Sequence, residues 1–483
     1  MILQLNHLQR NHAALSAQNV VAALYELLEE GQIEQSEFTR LRVHLDWIQY
    51  RQNFRETVTV TRGTGERRGR DPTVEMHVDV RQIAPDSLKE DILHAVIRAN
   101  PEPAGDDDRL FLEDFKSFRS SIAWEFNRLY WHRLSDWEHA SGRSYEQALP
   151  GGKSDANHPD AIADCVADFW TLLRDLENKK QLPAEIFVLE IGVGMGTRSR
   201  IWLDRFRKLD RERGTQYYAR LKFLLGDYSL ATLERSRPAV AGHLDLCSFM
   251  VLDALDPMKT LSFLRHKILH IHLTNVYDNL PDEEFTSRGE RLQLVQVRAY
   301  INGAEAVRIA NAFRLPTGET RRMVTRLLEN GPDCFSERSV GVAFWQEIWK
   351  ALRLEERVVS LEDLPDAVLP AGLHPSHLEE VLREAPFDFR FHLSSGALES
   401  FRNTLPLLHP RGFLQVQDIF VTDLNEYCLG FHGPGKLDGS IVNWVNGVLL
   451  REVGERAGYD VHFAPFHYRE GSRTSILYTT QRE

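Results

Sequence analysis

Apolar positions change period several times along the chain, and each change predicts an element. Val20, Val21, Leu24, Leu27 and Leu28 share one helical face, and Phe38, Leu41, Leu45 and Ile48 repeat that spacing after Ser36. The period then drops to two at 57–61 (TVTVT) and 73–80 (TVEMHVDV), which predicts a hairpin around the basic loop RGTGERRGRDP. That loop reads as a solvated tip. Ser87 to Glu90 has the form of a capping box ahead of Leu88, Ile92, Leu93, Val96 and Ile97. Together these make a small α+β unit over 1–100. A linker follows at 101–108 (PEPAGDDD), and then an aromatic stripe from Phe111 to Trp137 at threes and fours predicts one long helix. A polar stretch at 144–159 breaks it. A second helix over 160–179 ends the helical extension, 101–184.

From Ile186 onward short apolar runs alternate with helical patterns. The strands expected are 186–191, 221–225, 246–252, 268–273 and 412–421, with helices at 197–209 and 229–237 between the first of them. Continuous apolar strands with helical crossovers predict an α/β fold around a parallel sheet covered on both faces. One stretch, 286–388, is too long for a loop and reads as an inserted subdomain with its own strand at 292–301. After the insertion the core resumes: 440–457 reads as a helix, and 459–465 and 472–480, joined by HYREG, as an antiparallel hairpin.

Composition narrows the class only modestly. The 483 residues carry a net charge of −12 and are 42% hydrophobic, ordinary for a globular protein and unfavourable for bulk nucleic-acid binding. Cys165, Cys247, Cys334 and Cys428 form no CxxC and read as small buried hydrophobes in a reducing compartment. The start, MILQLNHLQR, lacks a basic signal-peptide head, and no apolar run is long enough to span a bilayer, so a cytoplasmic protein is expected.

The chemistry concentrates at 190–197, EIGVGMGT. Glycines at a strand-to-helix turn accept positive φ and let a ligand approach the backbone. A dinucleotide fingerprint needs glycine at 197, where this chain has Thr197. Glu190 stands where a carboxylate would repel a pyrophosphate and would suit a ligand bearing ammonium and sulfonium groups. His270-x-His272 offers two imidazoles on one strand face without a nearby third ligand, so no metal is expected.

At these residues the chain resembles the class I S-adenosylmethionine (SAM)-dependent methyltransferases, over 185–285 and 389–483. The resemblance implies a Rossmann-like seven-stranded sheet ending in an antiparallel hairpin. It implies SAM as cofactor, held by Glu190, Gly192, Gly194, Gly196, Thr197, Asp227, Tyr228, Asp253, Ala254 and Thr274. The segment after strand four then meets the acceptor, which makes Asn275, Tyr277 and Asp278 the catalytic candidates, with Asp278 a base or a fixer of a cationic nucleophile and Asp418 and His432 behind them. More narrowly, DNLP at 278–281, Asp418 and LDGSIVNWVN are similar to motifs of MidA and the mitochondrial complex I assembly methyltransferases, a family that methylates protein arginine. Thr274 and Asn275 stand where that family has Asn and Glu. The expected acceptor is a nitrogen or oxygen nucleophile on a protein or peptide. The alternatives are a small molecule with the insertion as lid, or an assembly factor that binds SAM without turnover. A homo-oligomer is compatible with either.

Overall fold

The computed structural model describes residues 1–6, 10–46, 52–62, 74–99, 109–288, 291–316, 318–360, 378, 389–429 and 433–482. Most of the basic loop at 62–72, the linker 101–108, Ile48, His432 and nearly all of 361–388 lie outside them.

The molecule is organised around a seven-stranded sheet. Its strands are β1 (Ile186–Ile191), β2 (Leu221–Asp227), β3 (Cys247–Val251), β4 (Ile268–Thr274), β5 (Leu408–Asp418), β6 (Tyr459–Pro465) and β7 (Ser475–Gln481). Their order is β3-β2-β1-β4-β5-β7-β6. β1 to β5 run parallel, and β7 is antiparallel to both β5 and β6. The parallel strands are nearly all-apolar because helices cover both faces. On one face Phe169 of a helix at Pro159–Asn178 packs with Trp202 and Phe206 of another at Thr197–Glu212, all fully buried over Phe223. On the other, Leu398 and Phe401 of Ser395–Thr404 and Leu449 and Leu450 of Gly447–Arg456 cover Ile271, Leu273 and Leu414. Each such side chain contributes about 1.5–3 kcal/mol by leaving water.

A second sheet surrounds the long strand Arg291–Asn302. Arg353–Ser360 pairs along one edge, and Glu284–Arg288 along the other as far as Val295. Lys116–Ser117 and Arg109–Phe111 then continue that second edge. The aromatic stripe is therefore not one helix. Its first third is strand and turn, and the helix begins at Ile122, where the Ser121 hydroxyl caps the Ala123 N–H, and ends at His132. Phe389–His392 completes the sheet beyond 284–288, with the half-buried Arg390 between Glu284 and Glu356.

The first hundred residues form a four-stranded sheet in the order 2–6, 41–46, 74–79, 58–62, with helices Arg10–Glu29 and Leu88–Arg98 on it. The helix expected after Ser36 stops at Arg40, and 41–46 is a strand. Leu41, Val43 and Leu45 also alternate, and pairing on both sides decided between the two periods. Ser87 makes no capping bond; its hydroxyl meets Asp91 instead. Residues 52–56 leave this sheet and join the rest of the chain. Asn53 pairs with Gly435, the Leu354 N–H donates to the Phe54 carbonyl at 2.9 Å, and Phe54 is buried edge-on against Trp349. The helix expected over 440–457 also begins late, at Gly447 with Asn446 as its cap. Ser440–Val442 is a strand.

Candidate functional site

The C-terminal ends of β1, β2, β4 and β5 lie on one edge of the sheet, and the polar groups collect there. β1 runs straight into the glycine turn. Gly192 donates to the Gly226 carbonyl at 2.8 Å, and a β-carbon on it would come within 2.7 Å of Val276, so this turn is pressed against the segment after β4. Gly194 has φ +52° and open space where a β-carbon would be. Its N–H points to the Asp227 carboxylate at 3.4 Å. Gly196 ends the turn and Thr197 begins the following helix, half-buried.

Glu190 is not presented to a ligand, contrary to the sequence reading. It is 3% exposed, and one carboxylate oxygen takes hydrogen bonds from Arg198 at 3.0 Å and Ser199 at 2.9 Å. Both donors sit on the first turn of the helix after the glycines. The buried pair thus ties β1 to that turn, and Arg198 takes up the charge expected to face a cation.

Asp227 and Tyr228 close β2. Burial pushes the Asp227 carboxyl up to about 6, although Ser229, Gly194 and Tyr228 N–H groups favour its charged form. Tyr228 is 38% exposed, and its ring lies 6.0 Å from that of His132 at the end of helix 122–132, with Arg128 also near it. Asp253 is exposed after β3 and accepts the Leu255 N–H at 2.9 Å, with Ala254 half-buried beside it. Asp227, Tyr228, Asp253 and the glycine turn therefore share one rim.

Across the edge, Thr274 ends β4 with its hydroxyl 2.7 Å from His272. Asn275 takes φ +51°, which turns the chain sharply, and its N–H donates to Gln417 at 3.0 Å. Tyr277 is 2% exposed in the core with its hydroxyl by Ser400, which places the phenol away from the rim. Its backbone N–H, and that of Asp278, donate to the Asp418 carboxylate at 2.9 and 3.3 Å. Burial first, and then the neighbouring Asp418, push Asp278 well above the carboxylate range; burial brings Asp418 to about 7. Asn279 donates to Asp278 at 2.7 Å.

This corner holds residues that the sequence reading missed. Asn127, on helix 122–132, donates to the Asn279 carbonyl and accepts the Ile441 N–H, both at 2.9 Å. Asn443 is 3% exposed, and neither end of its amide has a partner among the described residues; the same holds for Asn279 Oδ1 and Gln417 Oε1. Unpartnered buried amides are costly in a folded chain, and a water, an ion or a ligand completes their bonding. Asn443 lies in the SIVNWVN run, which reads as helix, and Asn279 in DNLP, where only Asp278 stands out. Both nitrogens of His272 are engaged, by Gln415 and Thr274, whereas His270 meets Cys165 through Nε2 and its buried Nδ1 has no hydrogen-bond partner among the described residues. Among the described residues no helix is long and apolar enough to cross a membrane.

Comparison with known proteins adds a distant likeness. No family model matches the chain, and neither does any curated protein. A solved structure from Burkholderia thailandensis with S-adenosyl-homocysteine bound is 13% identical, with 83% of this chain and 94% of that one covered and a TM-score of 0.45. A native structure from the same organism matches at 13% identity over the same shares with a TM-score of 0.44. The DszA carbon methyltransferase follows at 12% identity, 74% and 66% coverage and 0.32. TM-scores this low carry no weight for function, which rests on the site itself.

Proposed function

We propose that this chain is a SAM-dependent methyltransferase of the class I architecture, acting on a nitrogen or oxygen nucleophile. The observation that carries the reading is one rim: an open glycine turn whose Gly194 N–H meets Asp227, opposite the buried Asp278–Asp418 pair. The strand order, with β7 inserted antiparallel between β5 and β6, supports the same architecture. Gly192 and Gly194 would pass beneath the methionine part of SAM. Asp227 would accept the ribose hydroxyls, and Tyr228, Asp253 and Ala254 would border the base. Thr197 in place of a third dinucleotide glycine separates this from a pyrophosphate site. Glu190 contributes by fixing the turn through Arg198.

When bound, SAM would supply an electrophilic methyl to the acceptor's lone pair, with the departing sulfur keeping the electrons of the carbon–sulfur bond. The acceptor's surplus proton leaves to the Asp278–Asp418 pair, whose raised affinity for protons suits a base working near neutral pH. Orientation by Asn275, Asn279 and Asn443 supplies the in-line geometry on which such transfers chiefly depend.

A protein or peptide acceptor is the first reading. The burial of Asp278, Asn279 and Asn443 favours a second, a small molecule enclosed at this corner. Transfer of labelled methyl from SAM into a fractionated extract decides between them. Label in the protein fraction supports the first and label in the small-molecule fraction the second. SAM binding without label in either leaves a non-catalytic assembly factor.

A further inference from the structure

The four-stranded N-terminal sheet turns one face to its helices through Leu41, Val43, Leu45, Val74, Met76 and Val78. Its other face carries His44 and His77, which are register partners on adjacent parallel strands, with Glu75 two residues before His77 on the same side. One donor atom from each of the three lies within 4.8 Å of the other two. We propose that His44, Glu75 and His77 bind a first-row divalent cation of the zinc class, clamping the two central strands of this sheet.

The donor set supports this class. Two imidazoles and a carboxylate suit zinc, cobalt, nickel or copper rather than calcium or magnesium, which take oxygen ligands. The three ligands leave at least one position for water, as three-ligand zinc sites do. A second shell is in place. Asp46 holds His77 Nδ1 at 3.0 Å, which fixes the ring's tautomer and leaves Nε2 as the donor. His44 Nε2 is buried and has no hydrogen-bond partner among the described residues. Burial, and then His77 beside it, disfavour the charged form of the His44 ring. Arg42 also lies near His44 and opposes a cation there, while Glu75 and Asp46 favour one.

The two rings now stack, with centroids 4.4 Å apart and planes 9° from parallel. Lone pairs in parallel planes do not meet at a point, so capture requires the rings to turn about χ2. That torsion is broad for histidine. Ion binding therefore converts a stacked pair into a converging one, and the change is visible in the ring resonances.

The test uses full-length protein stripped with a chelator and titrated with Co2+ and Zn2+. The expected result is one equivalent per chain, displacement of Co2+ by Zn2+, and a cobalt spectrum without thiolate charge-transfer bands. His44→Gln and His77→Gln should each weaken Zn2+ binding at least tenfold, with SAM binding and circular dichroism unchanged. Should a variant fail to fold, the shift of the imidazole resonances of the unaltered protein on adding Zn2+ carries the test. Absence of saturable binding by the unaltered protein, or Zn2+ binding undiminished in well-folded His44→Gln/His77→Gln, would overturn the proposal.

Discussion

Asp227 is held in conflict between ligand and fold, and Asp227→Asn exposes both sides. Burial raises its carboxyl from 3.8 to about 6 in the folded chain. At about 1.36 kcal/mol per pH unit, keeping that group ionised costs on the order of 3 kcal/mol. The folded value lies above the unfolded one, so the stability that comes from holding the proton is present in full below 3.8 and is lost as pH rises through about 6. An amide never incurs that loss. It keeps one acceptor oxygen for the two N–H groups of Ser229 and Gly194, and the lost bond returns about 1 kcal/mol. Asp227→Asn should therefore be more stable than the parent by roughly 2 kcal/mol at pH 8 and no more stable near pH 4. Urea unfolding at the two pH values measures this. The ligand side moves oppositely. Ribose hydroxyls bond the ionised form, so S-adenosylhomocysteine affinity should be about 11-fold weaker at pH 5 than at pH 8, and weak and pH-independent in Asp227→Asn. A variant equally destabilised at both pH values, or a parent whose affinity is flat from pH 5 to 8, would refute the reasoning.

Other predictions bear on the remaining parts. Gly194→Asp puts a side chain into the open space of the turn at a backbone strain of about 1 kcal/mol, and should abolish S-adenosylhomocysteine binding in calorimetry while thermal unfolding stays cooperative. Asp278→Ala should remove methyl transfer but change S-adenosylhomocysteine affinity by no more than a few-fold. In the parent, kcat should rise as pH increases through about 7, where Asp418 loses its proton, and then level off; a profile identical in Asp278→Ala would exclude the pair as base. Burial works against the Glu356 charge, yet Arg390 and Arg55 hold its carboxyl well below the usual range. Glu356→Gln should accordingly cost about 3 kcal/mol, read as a lower Tm, with SAM binding retained.

The glycine turn and the strands flanking it were legible because they are local: the signal lies within a dozen residues. What escaped depends on distant partners. Glu190 reads as a free carboxylate until the following helix turn brings Arg198 against it. Asp418 becomes half of a pair only across the 140 residues that separate it from Asp278. Phe111, Phe115 and Phe118 keep helical spacing, yet 109–117 adds to the edge of the strand 291–302, a pairing that no nearby residue announces. The first hundred residues read as separable. Residues 53 and 54, built into the body of the chain, mean that a truncation at 100 would unstitch it rather than isolate a domain.

The position of the second sheet in the chain has a consequence during synthesis. β4 ends at Thr274 and its neighbour β5 begins at Leu408, so 133 residues are made between them. At about 5–20 residues per second the ribosome takes roughly 7–27 s over that stretch. Through that interval β4, with Ile271 and Leu273 fully apolar, is the open border of a half-built sheet. Slowing translation beyond 274 should lengthen the wait and raise the share of nascent chains held by chaperones, whereas slowing it before β1, upstream of 186, should not.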